Sequence, residues 1–203
     1  NVTLVFSVER YVSIAEAYLR GLERRRAQGL ALDRIASVAS FFVSRIDSAL
    51  DPVLAQRQPK LQGQIANANA KLAYLEYLEI FGGKHFATLR AAGARSQRLL
   101  WASTSTKNPT YPDLLYVDNL IGPNTVNTMS PATYDAFRDH GTVAQTLEQN
   151  LEIALAQRAA LLALGIDLGA VTDQLEIAGV NAFIQSFEAL LAAIEVKASA
   201  LTA

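Results

Sequence analysis

The sequence has no cysteine among its 203 residues and only two histidines. The absence of cysteine excludes disulfide bonds, thiolate zinc sites and a cysteine nucleophile, and it is compatible with the cytoplasm, where we expect the protein to reside. His85 and His140 lie near glycines in connecting segments, with no carboxylate at metal-ligand spacing. We therefore expect neither histidine to be catalytic, and we expect no metal site.

Neither sign of charge is in excess, since the chain has 18 Lys and Arg against 19 Asp and Glu and a net charge of -1. This balance gives no electrostatic reason to expect nucleic acid as a partner, although a few local cations suffice for a small phosphorylated ligand. No apolar stretch approaches the roughly 20 residues that span a bilayer, and no signal peptide is recognisable, so we expect no membrane partner. The chain starts at Asn1, directly in an apolar run, so we expect its beginning to lie elsewhere.

What the sequence does contain is a series of short apolar runs in a chain that is 51% hydrophobic and 18% charged. Such runs, bounded by turn signals, are typical of strands buried on both faces. We predict strands at about residues 1–7, 36–45, 98–105 and 125–129. Helical patterns lie at residues 8–26, 63–81, 131–137, 142–164, 168–177 and 180–201, whereas Asp51-Pro52 indicates a polar connection.

The alternation of strands and helices predicts an α/β fold with parallel strands in a single domain, residues 1–203. Four such units are half of a (β/α)8 TIM barrel, which needs about 250 residues when complete. Half a barrel leaves two edges of the sheet open, and we expect it to be unstable alone.

Polar side chains gather at the predicted strand ends, where parallel sheets bind ligands. Hydroxyls and amides beside two cations suit a ligand with hydroxyl groups and an anion, such as a sugar phosphate. The alternative is that the hydroxyls satisfy strand ends while both cations lie in solvent. The residues are Asn1 with Thr3, Ser40 with Arg45, Lys107 with Asn108, and Asn127 with Thr128.

Two further readings concern charged residues. A desolvated Lys107 could form an imine with a carbonyl substrate, but no carboxylate can be placed opposite it from the sequence. The carboxylates nearest the apolar runs include Asp47, and none is paired in a way that indicates a general acid and base.

Four segments, taken in order, closely resemble the fifth to eighth strands of transaldolase, and the longer bacterial form is the most similar. They are NVTLVFS (1–7), VASFFVSRID (38–47), LWASTSTKNP (100–109) and TVNTMSP (125–131). The tail, with DQLE (173–176) and VNAF (180–183), is similar to the same form. The resemblance covers essentially the whole chain.

The resemblance implies a (β/α)8 enzyme of the pentose phosphate pathway. Transaldolases are transferases that move a dihydroxyacetone unit from a ketose phosphate, such as sedoheptulose 7-phosphate, to an aldose phosphate such as glyceraldehyde 3-phosphate. They use no metal or organic cofactor. A Schiff base forms on a lysine of the fourth strand, with carboxylates on the first and third, and the resemblance places all three residues outside this chain.

The resemblance also implies roles for particular residues. Asn1 would bind a hydroxyl of the dihydroxyacetone unit, Thr3 would help to hold the catalytic water, and Phe42 would line the pocket. Ser40 and Arg45 match the phosphate-site serine and arginine of the family. Lys107 falls near the second phosphate-binding arginine, and its exact role stays open.

The partners implied are sugar phosphates and the missing amino-terminal half of the barrel, and a homo-oligomer is left open. The alternative is a non-catalytic fragment that binds sugar phosphate or assembles with a companion chain.

Overall fold

The structure, a computed structural model, describes residues 1–202. The described chain contains four strands, named β1 (Val2–Val5), β2 (Val38–Phe42), β3 (Arg98–Ala102) and β4 (Thr125–Asn127). Its α-helices are α1 (Val8–Ala27), α2 (Ser44–Arg57), α3 (Ile65–Gly82), α4 (Lys84–Ala91), α5 (Leu115–Asp118), α6 (Pro131–His140), α7 (Leu151–Ala163) and α8 (Leu168–Thr202). A short 3₁₀ turn, Pro59–Leu61, separates α2 from α3.

The four strands form one parallel sheet in the order β1-β2-β3-β4. The order of strands in the sheet is therefore their order in the chain, as in a (β/α) barrel, whereas doubly wound sheets reverse direction at a switch point. Within the described residues, β1 and β4 each pair on one side only. The α/β class and the parallel pairing predicted from the sequence are confirmed.

Alternate residues of the central strands point into the core. Phe41 and Trp101 pair in register on β2 and β3, and their rings meet edge to face with centroids 6.0 Å apart. Both side chains are fully buried and belong to the same apolar cluster as residues of α1 and α3. Burying large aromatic side chains is the main source of stability at such a helix–sheet contact.

Local signals in the sequence account for the ends of several helices. The Ser7 hydroxyl accepts a hydrogen bond from the Arg10 N–H at 3.0 Å and caps α1, so the chain turns from strand to helix within two residues. Ser130 caps α6 in the same way, with Pro131 as the first helical residue.

Helix α2 corrects two predictions. The second strand ends at Phe42 and not at residue 45, so Arg45 lies in the first turn of α2. Asp51 and Pro52 lie inside this helix and not in a connection. Proline removes one helical hydrogen bond, but the helix continues because Leu50 and Leu54, on either side, are buried in the core.

Residues 142–150, predicted as the first part of a helix, are irregular, and α7 begins only at Leu151. The polar groups of this segment are engaged by other elements. The Lys71 ammonium on α3 donates to the carbonyls of Thr146 at 2.9 Å and Gln149 at 2.7 Å. The Leu147 N–H donates to the Ile121 carbonyl at 3.1 Å. Tertiary hydrogen bonds therefore outweigh the helical composition here.

Helix α8 is continuous where the sequence predicted two helices, 168–177 and 180–201. Gly179 does not break it, and its missing side chain lets β1 approach, since a Cβ there would lie 2.8 Å from the Leu4 Cδ2 atom. The expectation that no apolar stretch approaches the length of a bilayer span is consequently wrong. Leu168–Leu201 is long and apolar enough by length and composition, with a mean hydropathy of 1.6 and 6% of its most apolar window buried. Composition of this kind is weak support for a span, and the absence of a membrane partner stays a prediction.

Candidate functional site

The carboxyl ends of the strands are joined by side-chain hydrogen bonds. The hydroxyls of Ser44 and Ser103 lie 3.0 Å apart and link the chain after β2 to the chain after β3. The Thr104 hydroxyl donates to the Asn127 amide oxygen at 2.9 Å and links β3 to β4. Asn127 and its neighbour Thr128 were predicted as polar strand-end residues, and here they bind the chain after β3 and β3 itself.

Asn1 and Ser40, both predicted site residues, contact each other. The Ser40 hydroxyl donates to the Asn1 amide oxygen at 2.9 Å, and Ser40 itself is 4% exposed. This bond occupies the Asn1 oxygen and leaves its NH2 group free to donate to a ligand hydroxyl. Thr3, two residues further along β1, is exposed.

Phe42 and Arg45 form a second pair. The Arg45 guanidinium carbon lies 5.3 Å from the centroid of the Phe42 ring, which itself lies 5.1 Å from the ring of Phe6. Arg45 is exposed, and in the described part of the chain no carboxylate lies within ion-pair distance of it. A guanidinium stacked on an aromatic face but not paired with a carboxylate keeps its N–H fork available for an anion.

Lys107 lies apart from these two pairs. It is exposed and lines a cavity of about 370 Å³ together with Asp51, Asn108 and Tyr111. Arg45 is not among the described residues that line this cavity. The structure thus brings Asn1 to Ser40 and Phe42 to Arg45, and it places Lys107 at a cavity that Asp51 also lines.

A network of two carboxylates and two tyrosines joins α2 to the segment that follows Lys107. This network was not predicted from the sequence. The Asp47 oxygens accept from the Ala66 N–H at 2.8 Å and the Tyr116 hydroxyl at 2.9 Å. The Asp51 oxygens accept from the Gly63 N–H at 3.0 Å and the Tyr111 hydroxyl at 2.7 Å. The available signal was the spacing of the two aspartates, four apart and so on one face of a helix.

Burial is the largest cause of the raised pKa values in this network. It raises the pKa of Asp47 to about 7, although the hydrogen bonds from Ala66 and Tyr116 act in the opposite direction. Burial, together with the hydrogen bond to Asp51, raises the pKa of Tyr111 to about 12. The tyrosines therefore remain protonated donors at neutral pH, while the Asp47 carboxyl is poised between its two forms.

A larger cavity lies at the opposite end of the sheet. It measures about 760 Å³ and is lined at the starts of the strands by Asn1, Ser37, Arg98 and Asn124, and also by Arg90 and Arg95. Asn1 directly precedes β1, so the structure places it at the amino end of that strand and not at the carboxyl end, where the sequence predicted it. We place the candidate site at the carboxyl ends of the strands because parallel sheets bind ligands there, whatever the relative size of the cavities.

Both histidines are exposed, but they lie in helices α4 and α6 and not, as the sequence suggested, in connecting segments. His85 contacts Glu23 at 2.5 Å, and the exposed His140 contacts Asp113 and Asp139 at 3.1 Å each. Hydrogen bonds to these two aspartates raise the pKa of His140. Among residues 1–202, no group of three or more His, Cys, Asp or Glu side chains could hold a metal ion.

The pattern of the family described as transaldolase/fructose-6-phosphate aldolase matches residues 1–194. A transaldolase from Trichodesmium erythraeum is 46% identical over an alignment of 216 positions, gaps included, that covers 100% of this chain and 57% of the relative. One from Thiobacillus denitrificans is 50% identical over 198 residues, 96% of this chain and 55% of the relative. One from Neisseria meningitidis is 48% identical over 192 residues, 95% of this chain and 54% of the relative.

The chain therefore spans little more than half the length of the curated relatives that it matches. The family pattern, in contrast, runs through all four strands and the helices that follow them. The sequence and its parallel sheet together place this chain in the transaldolase/fructose-6-phosphate aldolase family.

Proposed function

We propose that residues 1–203 form the second half of a (β/α)8 transaldolase and supply the phosphate end and one wall of its active site. In this proposal the full-length protein is a longer polypeptide that also contains the first four strands. It transfers a dihydroxyacetone unit from a ketose phosphate such as sedoheptulose 7-phosphate to an aldose phosphate such as glyceraldehyde 3-phosphate. The lysine that forms the Schiff base and the carboxylates that move protons would lie in the part outside this chain.

The observation that carries the proposal is the sheet itself. Four parallel strands lie side by side in chain order, which is half of the strand order of a barrel. The chain covers 54–57% of three relatives named transaldolase. The chain thus has four of the eight strands of a barrel and spans about half the length of these relatives, which is what one half of such a barrel should show.

Each candidate residue has a role that suits its surroundings. The free NH2 group of Asn1 would donate to a hydroxyl of the dihydroxyacetone unit, and Thr3 would help to hold a catalytic water. Phe42 would form an apolar wall that also supports Arg45. The Ser40 O–H donates its hydrogen bond to Asn1, so it must rotate away from Asn1 before it can donate to a phosphate.

Arg45 would bind the substrate phosphate through charge-assisted hydrogen bonds. Each such bond contributes about 1.5–3 kcal/mol, so we expect Arg45→Ala to raise KM for fructose 6-phosphate about 10- to 100-fold in the full-length protein, with a smaller change in kcat. Arg20→Ala is the matched control, because Arg20 is an exposed α1 residue that pairs with Glu16. An unchanged KM in the Arg45 variant would remove the phosphate assignment.

The resemblance to the family implies that Lys107 would contribute a second positive charge to the phosphate site, and the structure places Lys107 at a cavity whose described lining residues do not include Arg45. It is exposed, whereas an imine-forming lysine is normally desolvated so that its amine is neutral. A lysine binds phosphate as a point charge without the two-pronged geometry of arginine. This favours phosphate binding over imine formation at Lys107.

The second candidate function is a non-catalytic fragment that assembles with a companion chain. The open edges of β1 and β4 favour assembly, because unpaired strand edges recruit further strands. Sequencing of the complete gene separates the two candidates, since a transaldolase requires coding sequence for four more strands before Asn1.

A further inference from the structure

The residues that join α2 to the segment after β3 form two parallel connections. We call this set the aspartate–tyrosine clasp, and it consists of Asp47 with Tyr116 and Asp51 with Tyr111. In each connection, one carboxylate oxygen accepts a hydrogen bond from a tyrosine hydroxyl. The other oxygen accepts a hydrogen bond from a backbone N–H at or just before the start of α3. The clasp therefore fastens three segments to one another: α2, the start of α3 and residues 107–116.

The clasp is buried, which is unfavourable for carboxylates. Asp47 is 1% exposed and Asp51 is 9% exposed. Buried ionisable groups often contribute less to stability than apolar side chains of the same size, and a role in fixing a particular arrangement is the better-attested reason for keeping them. The arrangement that this clasp fixes is the path of residues 107–116.

The segment held by the clasp is locally stiff near Lys107. The Asn108 side-chain oxygen accepts from the Thr110 N–H at 3.0 Å, and the Tyr111 N–H donates to the Asn108 carbonyl at 3.1 Å. The Tyr111 ring also lies against Gly63, where a Cβ would be 3.0 Å from it. A shift of Tyr111 would consequently carry Asn108 and Lys107 with it.

Helix α2 also carries the second cation, Arg45, on its exposed side, whereas Asp47 is buried. Arg45 is two residues before Asp47 on α2, so one helix carries both the guanidinium and the two carboxylates. We propose that Asp47 and Asp51 are positioning residues, which hold Lys107 at a fixed distance from Arg45 and so give the site its selectivity for phosphorylated over unphosphorylated ketoses. This inference rests on the proposed function.

Tyr111→Phe in the full-length protein tests the inference, because it removes one hydroxyl and keeps the ring that packs on Gly63. The measurements are kcat and KM for fructose 6-phosphate and for fructose, and the competitive inhibition constant of inorganic phosphate. We expect KM for fructose 6-phosphate and the inhibition constant to rise about 5- to 20-fold, with kcat within about twofold and kcat/KM for fructose unchanged. Tyr134→Phe is the matched control, because Tyr134 is exposed on α6.

Three outcomes are distinguishable. An equal loss with both ketoses, or no change with either, overturns the positioning role while leaving the proposed function intact. If the unmodified protein uses neither ketose as a donor, the proposed function itself fails. Tyr116→Phe provides a second variant should Tyr111→Phe not fold, and the same selective loss is required of it.

Discussion

Asp47 is a carboxyl group whose surroundings favour its protonated form. Its pKa is raised from 3.8 to about 7 by burial, with a smaller contribution from Asp51. Between these pH values the native state holds a proton that the unfolded state has released. Protonation of Asp47 therefore contributes fully to stability below about pH 4, and this contribution is lost as the pH rises through 7.

Asp47→Asn should reveal this dependence, because the amide keeps the shape of the carboxyl group and stays uncharged. The Tyr116 hydroxyl can rotate to accept from the new NH2 group. We expect the free energy of unfolding of the variant, relative to the unmodified full-length protein, to be higher at pH 8 than at pH 5. Urea unfolding at the two pH values measures it.

The matched control for this measurement is Asp135→Asn, since Asp135 is exposed on α6. Its difference from the unmodified protein should be the same at both pH values. If Asp47→Asn behaves like the control, Asp47 is ionised in the native state at both pH values. In that case burial does not raise the pKa of Asp47.

Single residues were predictable from the sequence where local chemistry decides their role. Trp101, inside an apolar run, is buried as predicted, and Ser7 caps a helix as predicted. Asp47 and Asp51 were not recognised as a pair, because their partners Tyr116 and Tyr111 lie 69 and 60 residues further along the chain. A hydrogen bond between such distant residues leaves no periodic signal in a single sequence.

Lys71 joins two elements that are far apart in the chain. From α3 it donates to the carbonyls of Thr146 and Gln149, and burial lowers its pKa while the charge of Glu152 opposes the shift. Lys71→Met would leave both carbonyls without this donor. We expect the free energy of unfolding to fall by about 1.5–3 kcal/mol, as is usual for hydrogen bonds to a charged group.

Chemical denaturation of the full-length protein measures this loss. Lys60→Met is the control, because Lys60 is an exposed residue of the 3₁₀ turn. A loss no greater than that of the control would mean that residues 142–150 are held by their remaining contacts, such as the Thr146 hydroxyl to the Asp118 carbonyl at 2.6 Å.

Helices were predictable where caps and apolar spacing agree, as in α1 and α6. Errors arose at a proline and at a glycine, where the sequence predicted no continuous helix. Asp51-Pro52 was interpreted as a polar connection but lies within α2, and two helices were predicted at 168–177 and 180–201 where α8 is continuous through Gly179. At Pro52 the buried Leu50 and Leu54 hold the helix, and at Gly179 the glycine itself is buried against Leu4, so packing overrides local propensity.

In the molecule as a whole, residues 1–202 leave two kinds of surface uncovered: the edges of the sheet and an apolar part of α8. The outer edges of β1 and β4 are unpaired within the described residues, and seven apolar side chains from Val180 to Ile194 on α8 are 43–60% exposed. Exposed apolar surface and open strand edges are normally covered in a stable protein. We expect the first half of the proposed barrel to cover them.

The class of fold was predictable because parallel strands buried on both faces leave a strong pattern of apolar runs. The site was predictable only in part. Asn1 and Ser40 contact each other, as do Phe42 and Arg45, whereas Lys107 lies at a separate cavity. In our proposal the position of Lys107 depends on the aspartate–tyrosine clasp. The clasp consists of contacts between α2, α3 and the segment after β3, which are far apart in the sequence.

Trapping the covalent intermediate tests the central claim most directly. The full-length protein would be treated with borohydride in the presence of fructose 6-phosphate, and the reduced adduct located by peptide mass mapping. A transaldolase of which residues 1–203 are the second half should carry the adduct on one lysine outside these residues, with Lys107 unmodified. An adduct on Lys107, or a protein that forms none, would contradict the proposed division of the active site.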